Sequence, residues 1–182
     1  MKTRSTAFNT YLLATLLLLV GCKSPEEQRR SAEAHKEKKE LSNIRVHLEV
    51  SADIAGRTMQ ATILRASPVS IIVLSDYFLD ERDVLAANII ENSAGFAVLV
   101  QFNQHGVFML DTISTSNKGS RLAIRSSFGE TRWLAAPVMS RPIKNGAIVF
   151  TPDATREETS RFVRGLNNTV KKLKHNQLLP GS

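Results

Sequence analysis

Residues 94–125 read AGFAVLVQFNQHGVFMLDTISTSNKGSRLAIR, and this run decides the fold class. Ala94 to Phe102 is apolar almost throughout (Phe96, Ala97, Val98, Leu99, Val100), as a central strand covered on both faces would be. Asn103 follows as a helix N-cap. Met109, Leu110 and Ile113 then recur at helical spacing, which predicts a helix from Gly106 to Ser116 packed on the sheet. Lys118-Gly119 ends it, with glycine where the chain needs a left-handed turn. Arg121 to Arg125 reads as a strand and Ser126 to Glu130 as a turn. Thr131 to Val138, carrying Trp133, returns as the second strand of a hairpin. Pro137 either ends that strand or places it at an edge. Ala147 to Phe150 is a last short strand.

Upstream, Ile44, Val46, Leu48 and Val50 alternate with Arg45, His47 and Glu49. That period of two predicts a strand with one buried face, and places His47 on the wet face. Ser51 to Gly56 is a turn. Thr58 to Leu64 and the β-branched Val69 to Leu74 are further strands. Asp80-Glu81-Arg82-Asp83 reads as the acidic start of a short helix or turn ending near Ala87. Near the C-terminus, Thr155-Arg156-Glu157-Glu158 has capping-box spacing. Phe162, Leu166, Val170 and Leu173 form one apolar stripe behind it. The expected fold is α+β: a mostly antiparallel sheet with a mid-chain helix and a C-terminal amphipathic helix packed on it.

The first 42 residues speak of location. Lys2 and Arg4 precede an apolar run from Tyr11 to Val20, the layout of a secretory signal peptide. Leu19-Val20-Gly21-Cys22 fits the bacterial lipobox, so residues 1–21 read as a lipoprotein signal and Cys22 as the lipid acceptor. The run is about half the roughly 20 residues that a spanning helix needs. Lys23, rather than aspartate, after the cysteine favours the outer membrane over the inner. Residues 22–42 are dense in both charge signs and read as a tether, helical in part. The remaining expected divisions are N-terminal strands over 43–79, an α+β domain over 80–174 and a tail over 175–182. The expected location is the bacterial cell envelope, lipid-anchored and facing the periplasm.

Composition narrows the chemistry. The single cysteine is assigned to lipid, so no disulfide is expected. The net charge of +7 suits anionic head groups or envelope polymers better than nucleic acid in that compartment. Arg156, Arg161, Arg164, Lys171, Lys172 and Lys174 on the final helix form a possible basic surface. No Cys-X-X-Cys, His-X-X-X-His, glycine-rich phosphate loop or Gly-X-Ser-X-Gly elbow occurs. His35, His47, His105 and His175 are scattered. No catalytic residue, metal or cofactor is assigned, and an enzyme is not expected. Asn167-Asn168-Thr169 matches a glycosylation pattern, read here as chance.

In the second half, several segments fall in the order of a known family. Val100-Gln101-Phe102-Asn103-Gln104-His105-Gly106 pairs a strand end with a glycine-started helix. Asn117-Lys118-Gly119-Ser120-Arg121-Leu122-Ala123-Ile124, Ala136-Pro137-Val138-Met139, Gly146 and Thr155-Arg156-Glu157-Glu158 follow. Together they resemble the head subdomain of the first periplasmic domain of SecD, the membrane protein that assists the Sec translocase. The likeness covers roughly Asp80 to Leu173. The matching residues are turn glycines, caps and strand cores, so they carry no catalytic assignment. The turn Ser126-Ser127-Phe128-Gly129 lacks the family's acidic residue, and no membrane-spanning helices flank the domain. The resemblance implies an isolated head subdomain hung on a lipid. Its implied role is binding polypeptide or an envelope complex in protein export. The alternative is binding of an envelope polymer or anionic lipid through the basic final helix. An enzyme, the third reading, would show a closed pocket holding His47 or His105 beside a carboxylate.

Overall fold

The computed structural model describes residues 24–51, 56–64, 68–92 and 95–178. The signal-peptide and Cys22 expectations therefore lie outside the described residues. Helix α1 spans Pro25–Lys39. Proline suits a helix start, and the Ser24 hydroxyl accepts the Glu27 N–H at 3.2 Å as its cap. The charged segment is thus helical over most of its length. Chain contacts divide the protein after Lys36, and the unit Glu37–Ser182 holds all the strands and both later helices.

That unit is α+β, as expected, with its strands in two antiparallel sheets rather than one. The strands are β1 (Asn43–Glu49), β2 (Thr58–Ile63), β3 (Val69–Asp80), β4 (Val84–Asn92), β5 (Gly95–Phe102), β6 (Leu122–Ser127), β7 (Thr131–Ala135) and β8 (Ala147–Phe150). Helix α2 spans Gln104–Ser116 and α3 spans Arg156–Leu178. The larger sheet has the order β2-β3-β1-β6-β7 and the smaller β4-β5-β8. The apolar run that opened the sequence is indeed a central strand, β5, although Gln101 leaves part of one face in solvent.

One core joins both sheets and both helices. Ile44, Val46 and Leu48 of β1, Val98, Val100 and Phe102 of β5, Leu110 of α2 and Phe162, Leu166 and Val170 of α3 all belong to it. Three residues of the expected stripe therefore lie on the face that α3 buries, while Leu173 is half-buried. The start of α3 is a capping box: the Thr155 hydroxyl accepts the Glu158 N–H at 3.2 Å, and Glu158 accepts the Thr155 N–H at 2.8 Å. Asn103 caps α2 through the Gly106 N–H at 3.0 Å.

One expectation narrows and another is overturned. Of the short helix or turn read at Asp80, only the turn forms, and no helix opens there. The Asp80 carboxylate accepts the Arg82 N–H at 2.8 Å and its guanidinium Nε at 2.9 Å, which folds a tight turn. The chain then continues as β4, antiparallel to β5. Nor does His47 face water, for it is 1% exposed. The larger sheet curls until β2 approaches β7, and its second face closes over Ala61, Ile71, Val73 and Ala123 with Trp133 beside them. His47 lies edge-on to Trp133 at 5.1 Å and to Tyr77 at 6.1 Å. The hairpin strand also ends earlier than expected, at Ala135, with only a single bridge from Val138 to Arg121 beyond Pro137.

Candidate functional site

The sheets have four edge strands, and they are finished differently. On β4, Ala87 directs its backbone away from β5, because it sits in a non-hydrogen-bonded pair with Val100. The Asn167 side chain of α3 takes up both groups. Its Oδ1 accepts the Ala87 N–H at 2.9 Å, and its Nδ2 donates to the Ala87 carbonyl at 2.8 Å. A side-chain amide thus stands in for a neighbour strand at Ala87 alone, while the outward backbone groups of Ile89 and Glu91 have no partner among the described residues. Edges β2 and β7 approach one another.

Strand β8 is left open. The Phe102 N–H donates to the Gly146 carbonyl at 2.9 Å, which fixes the ladder so that Ile148 and Phe150 bond to β5. Ala147 and Val149 therefore turn their backbone groups outward. The Val149 N–H and C=O have no hydrogen-bond partner among the described residues. The Val149 side chain is 51% exposed.

The approach to β8 is pinned to α2. The Ile143 N–H donates to the buried Ser114 hydroxyl at 2.7 Å. Gly146 has φ +63°, and a Cβ there would meet Val107 Cγ2 at 2.3 Å, so only glycine fits this crossing. Two clefts flank the open strand. One, of about 310 Å³, is lined by Ile63, Val69, Ala97 and Ala135–Pro137, with Arg121 at its wall. The other, of about 570 Å³, follows Pro137–Asn145 and meets Ile148. Pro137 and Val149 border both. Arg121 is held by its Nη1 donating to the Ala136 carbonyl at 3.1 Å and by its N–H donating to Glu49 at 2.7 Å. This arrangement can bind an extended chain by backbone pairing, with mainly apolar ground on one side and mixed polar and apolar ground, including Arg141 and Lys144, on the other.

The residues singled out in the sequence scatter around this edge. On α3, Arg156 pairs with Glu91, Arg161 with Glu40, and Arg164 with Glu37 and Glu40. Lys171, Lys172 and Lys174 are exposed, with no partner among the described residues. His105 is exposed and meets Asp83 at 2.8 Å, and neither His105 nor His47 lines a cleft described above. The Leu74 carbonyl accepts the His47 Nδ1–H at 2.9 Å, leaving Nε2 unpartnered, and burial pushes this imidazole below its usual pKa. Among the described residues no group of three metal-ligating side chains occurs, and no helix is long and apolar enough to cross a membrane.

Asn167-Asn168-Thr169 has a structural part that the motif reading missed. Asn168 donates to the carbonyls of Glu37 and Glu40 at 2.9 and 3.0 Å, and Thr169 donates to that of Ser42 at 2.7 Å. With the arginine pairs, they strap Glu37–Ser42 along α3. A Cβ on Gly165 would meet Ser42 Oγ at 2.3 Å, so glycine lets the strap lie against the helix. Three consecutive polar residues inside an amphipathic helix were the available signal.

No protein-family model and no curated protein sequence matches the chain. Solved structures do. One is of SecDF, described as a membrane component that enhances protein export. It aligns with a TM-score of 0.52 and 19% identity, over 82% of this chain and 71% of that one. Another, SecDF in a super-membrane-facing form, aligns with a TM-score of 0.53 and 20% identity, over 80% of this chain and 21% of that one. The chain thus spans about a fifth of the latter protein's length. The SecD-like resemblance holds as a resemblance of fold.

Proposed function

We propose that the protein is a lipid-anchored, non-enzymatic binding module of the bacterial envelope. In this reading it captures extended polypeptide along β8 in a role related to protein export. The observation that carries it is the open β8 edge, with the Val149 backbone unpaired between two clefts. A segment laid along that edge would gain main-chain hydrogen bonds and turn alternate side chains to opposite faces. The shared fold with a protein-export component supports the direction of the reading. The lipid on Cys22 rests on the lipobox reading of the N-terminal sequence, and Lys23 after it favours the outer membrane over the inner.

The test is crosslinking in intact cells followed by recovery of the lipidated protein, with Cys22→Ser and Val149→Pro as comparisons. Proline at 149 removes an outward N–H and leaves the β5 ladder intact. The expected result is recovery of nascent exported chains or translocase components, reduced in both variants. Recovery of peptidoglycan fragments or resident outer-membrane proteins alone refutes the export role. A second reading rests on Lys171, Lys172 and Lys174, whose unpaired charges suit an anionic lipid or envelope polymer. Its mark is binding that falls steeply with salt and is lost when all three lysines become glutamine.

A further inference from the structure

Arg45 on β1 and Arg125 on β6 stand directly opposite one another in the antiparallel register. Like charges so placed repel and weaken a sheet. Several other arginines are paired with carboxylates: Arg82 with Asp80, Arg132 with Glu130 and Glu158, and Arg164 with Glu37 and Glu40. Arg45 and Arg125 have no carboxylate at ion-pair distance among the described residues. Each instead lies over an aromatic ring, Arg45 over Tyr77 at 4.8 Å and Arg125 over Trp133 at 5.7 Å. Buried His47, edge-on to both rings, holds this platform from beneath. Such contacts orient a guanidinium without neutralising it.

The two arginines share an open pocket of about 210 Å³ with Asn43, Ser127 and Thr131. Asn43 Oδ1 is occupied by the Ser127 N–H at 2.8 Å, which leaves its NH₂ as the free end. The Ser127 and Thr131 hydroxyls have no partner among the described residues. The lining therefore offers positive charge and hydrogen-bond donors, and no carboxylate belongs to it. We infer that the Arg45–Arg125 pocket binds a phosphate-type oxyanion, which relieves the repulsion between the two guanidiniums and bridges β1 to β6. The oxyanion is either a soluble phosphate or the phosphate of an anionic lipid head group. This inference is independent of the β8 reading.

Trp133 is the sole tryptophan and reports on the site. The full chain is titrated with inorganic phosphate at constant ionic strength, followed by tryptophan emission and by calorimetry. The expected result is saturable binding that weakens by about ten- to a hundred-fold in Arg45→Gln, as loss of charged hydrogen bonds requires. Arg45→Lys keeps the charge without the fork and should fall between. Arg45 lies over Tyr77, and it is Arg125 that lies over Trp133, so loss of Arg45 leaves the reporter in place, and circular dichroism confirms that each variant is folded. If Arg45→Gln does not fold, Ser127→Ala, which keeps both cations, should weaken binding less than Arg45→Lys does. Binding that is unchanged in the variants, or reproduced by chloride at equal ionic strength, overturns the inference. Competition by phosphatidylglycerol vesicles, but not by phosphatidylcholine vesicles, assigns the oxyanion to a lipid; phosphate binding without vesicle competition assigns it to a soluble ligand.

Discussion

Asn167→Ala should destabilise the domain by about 2 kcal/mol. The side chain makes two hydrogen bonds to one residue, at 2.9 and 2.8 Å. Each contributes roughly 1 to 1.5 kcal/mol net, at the upper end because Ala87 is 1% exposed and its backbone would be left without a partner. Against that, alanine gains about 0.6 kcal/mol of helix propensity. Urea unfolding measures the difference as a lower midpoint at constant slope. Asn167→Asp sharpens the test. Its carboxylate can still accept the Ala87 N–H, but sets a negative oxygen against the Ala87 carbonyl. At neutral pH it should be no better than alanine. Protonation restores a donor, so the carboxyl pKa is raised in the folded state. The native form then binds more protons than the unfolded one, and the stability lost should return as pH falls towards the carboxylate range. A loss below about 0.5 kcal/mol for Asn167→Ala, or an Asn167→Asp variant indifferent to pH, would refute the idea that this amide closes the sheet at Ala87.

Other perturbations probe separate parts of the molecule. Gly165→Ala gains about 1 kcal/mol of helix propensity but forces a Cβ against the Leu41–Ser42 backbone, at 3.0 Å from Ser42 N. Hydrogen exchange should show faster exchange over Glu37–Ser42, while the sheets keep their protection. Burial holds the His47 imidazole below its ordinary value of 6.5. The unfolded chain then binds more protons than the folded one as pH drops below 6.5, so stability should decline on acidification through that window. His47→Gln should remove this slope in melts taken across it. Thr155→Ala should cost about 1 kcal/mol through the lost hydroxyl cap but keeps the backbone N–H that chiefly holds the Glu158 carboxyl low, so that carboxyl should remain shifted below its ordinary 4.5. Carboxyl NMR titration reads that shift.

What the sequence revealed and what it hid divide by range. Strand β8 spans the same Ala147–Phe150 that the sequence indicates, and the Asn103 and Thr155 caps are where their spacing puts them. All of these depend on neighbours within a few residues. Asp80-Glu81-Arg82-Asp83 reads as the start of a short helix or turn, the helix because acidic residues favour its first positions. Here the Asp80 carboxylate is used by Arg82, and the segment turns into a strand instead. His47 alternates with apolar neighbours as a wet residue would, and only the curl that brings β2 towards β7 buries it. Asn167, Asn168 and Thr169 bond to backbone 80 to 131 residues away, which no local pattern encodes. Open and closed edges are likewise invisible before the strand order is known.

The treatment of those edges gives the β8 reading its force. An unpaired strand edge invites association, and folds ordinarily blunt it. Here an asparagine is spent on one residue of β4, although asparagine is a poor choice for the interior of a helix. The larger sheet curls its edges together. At β8 the Asn145 side chain accepts the Ala147 N–H at 3.3 Å, but the backbone of Val149 is left facing outward beside an exposed valine. Its flanking loop is meanwhile fixed by Ser114 and by a glycine that no other residue could replace without displacing Val107. An edge that was merely unfinished would not need a rigid border. A rigid border around free donors and acceptors is a preorganised place for a strand to land, and preorganisation reduces the ordering that a bound segment must undergo. Closing it should therefore separate binding from folding. A lysine at Val149 would leave the β5 ladder and the core intact, so its melting point should match the parent while polypeptide capture falls.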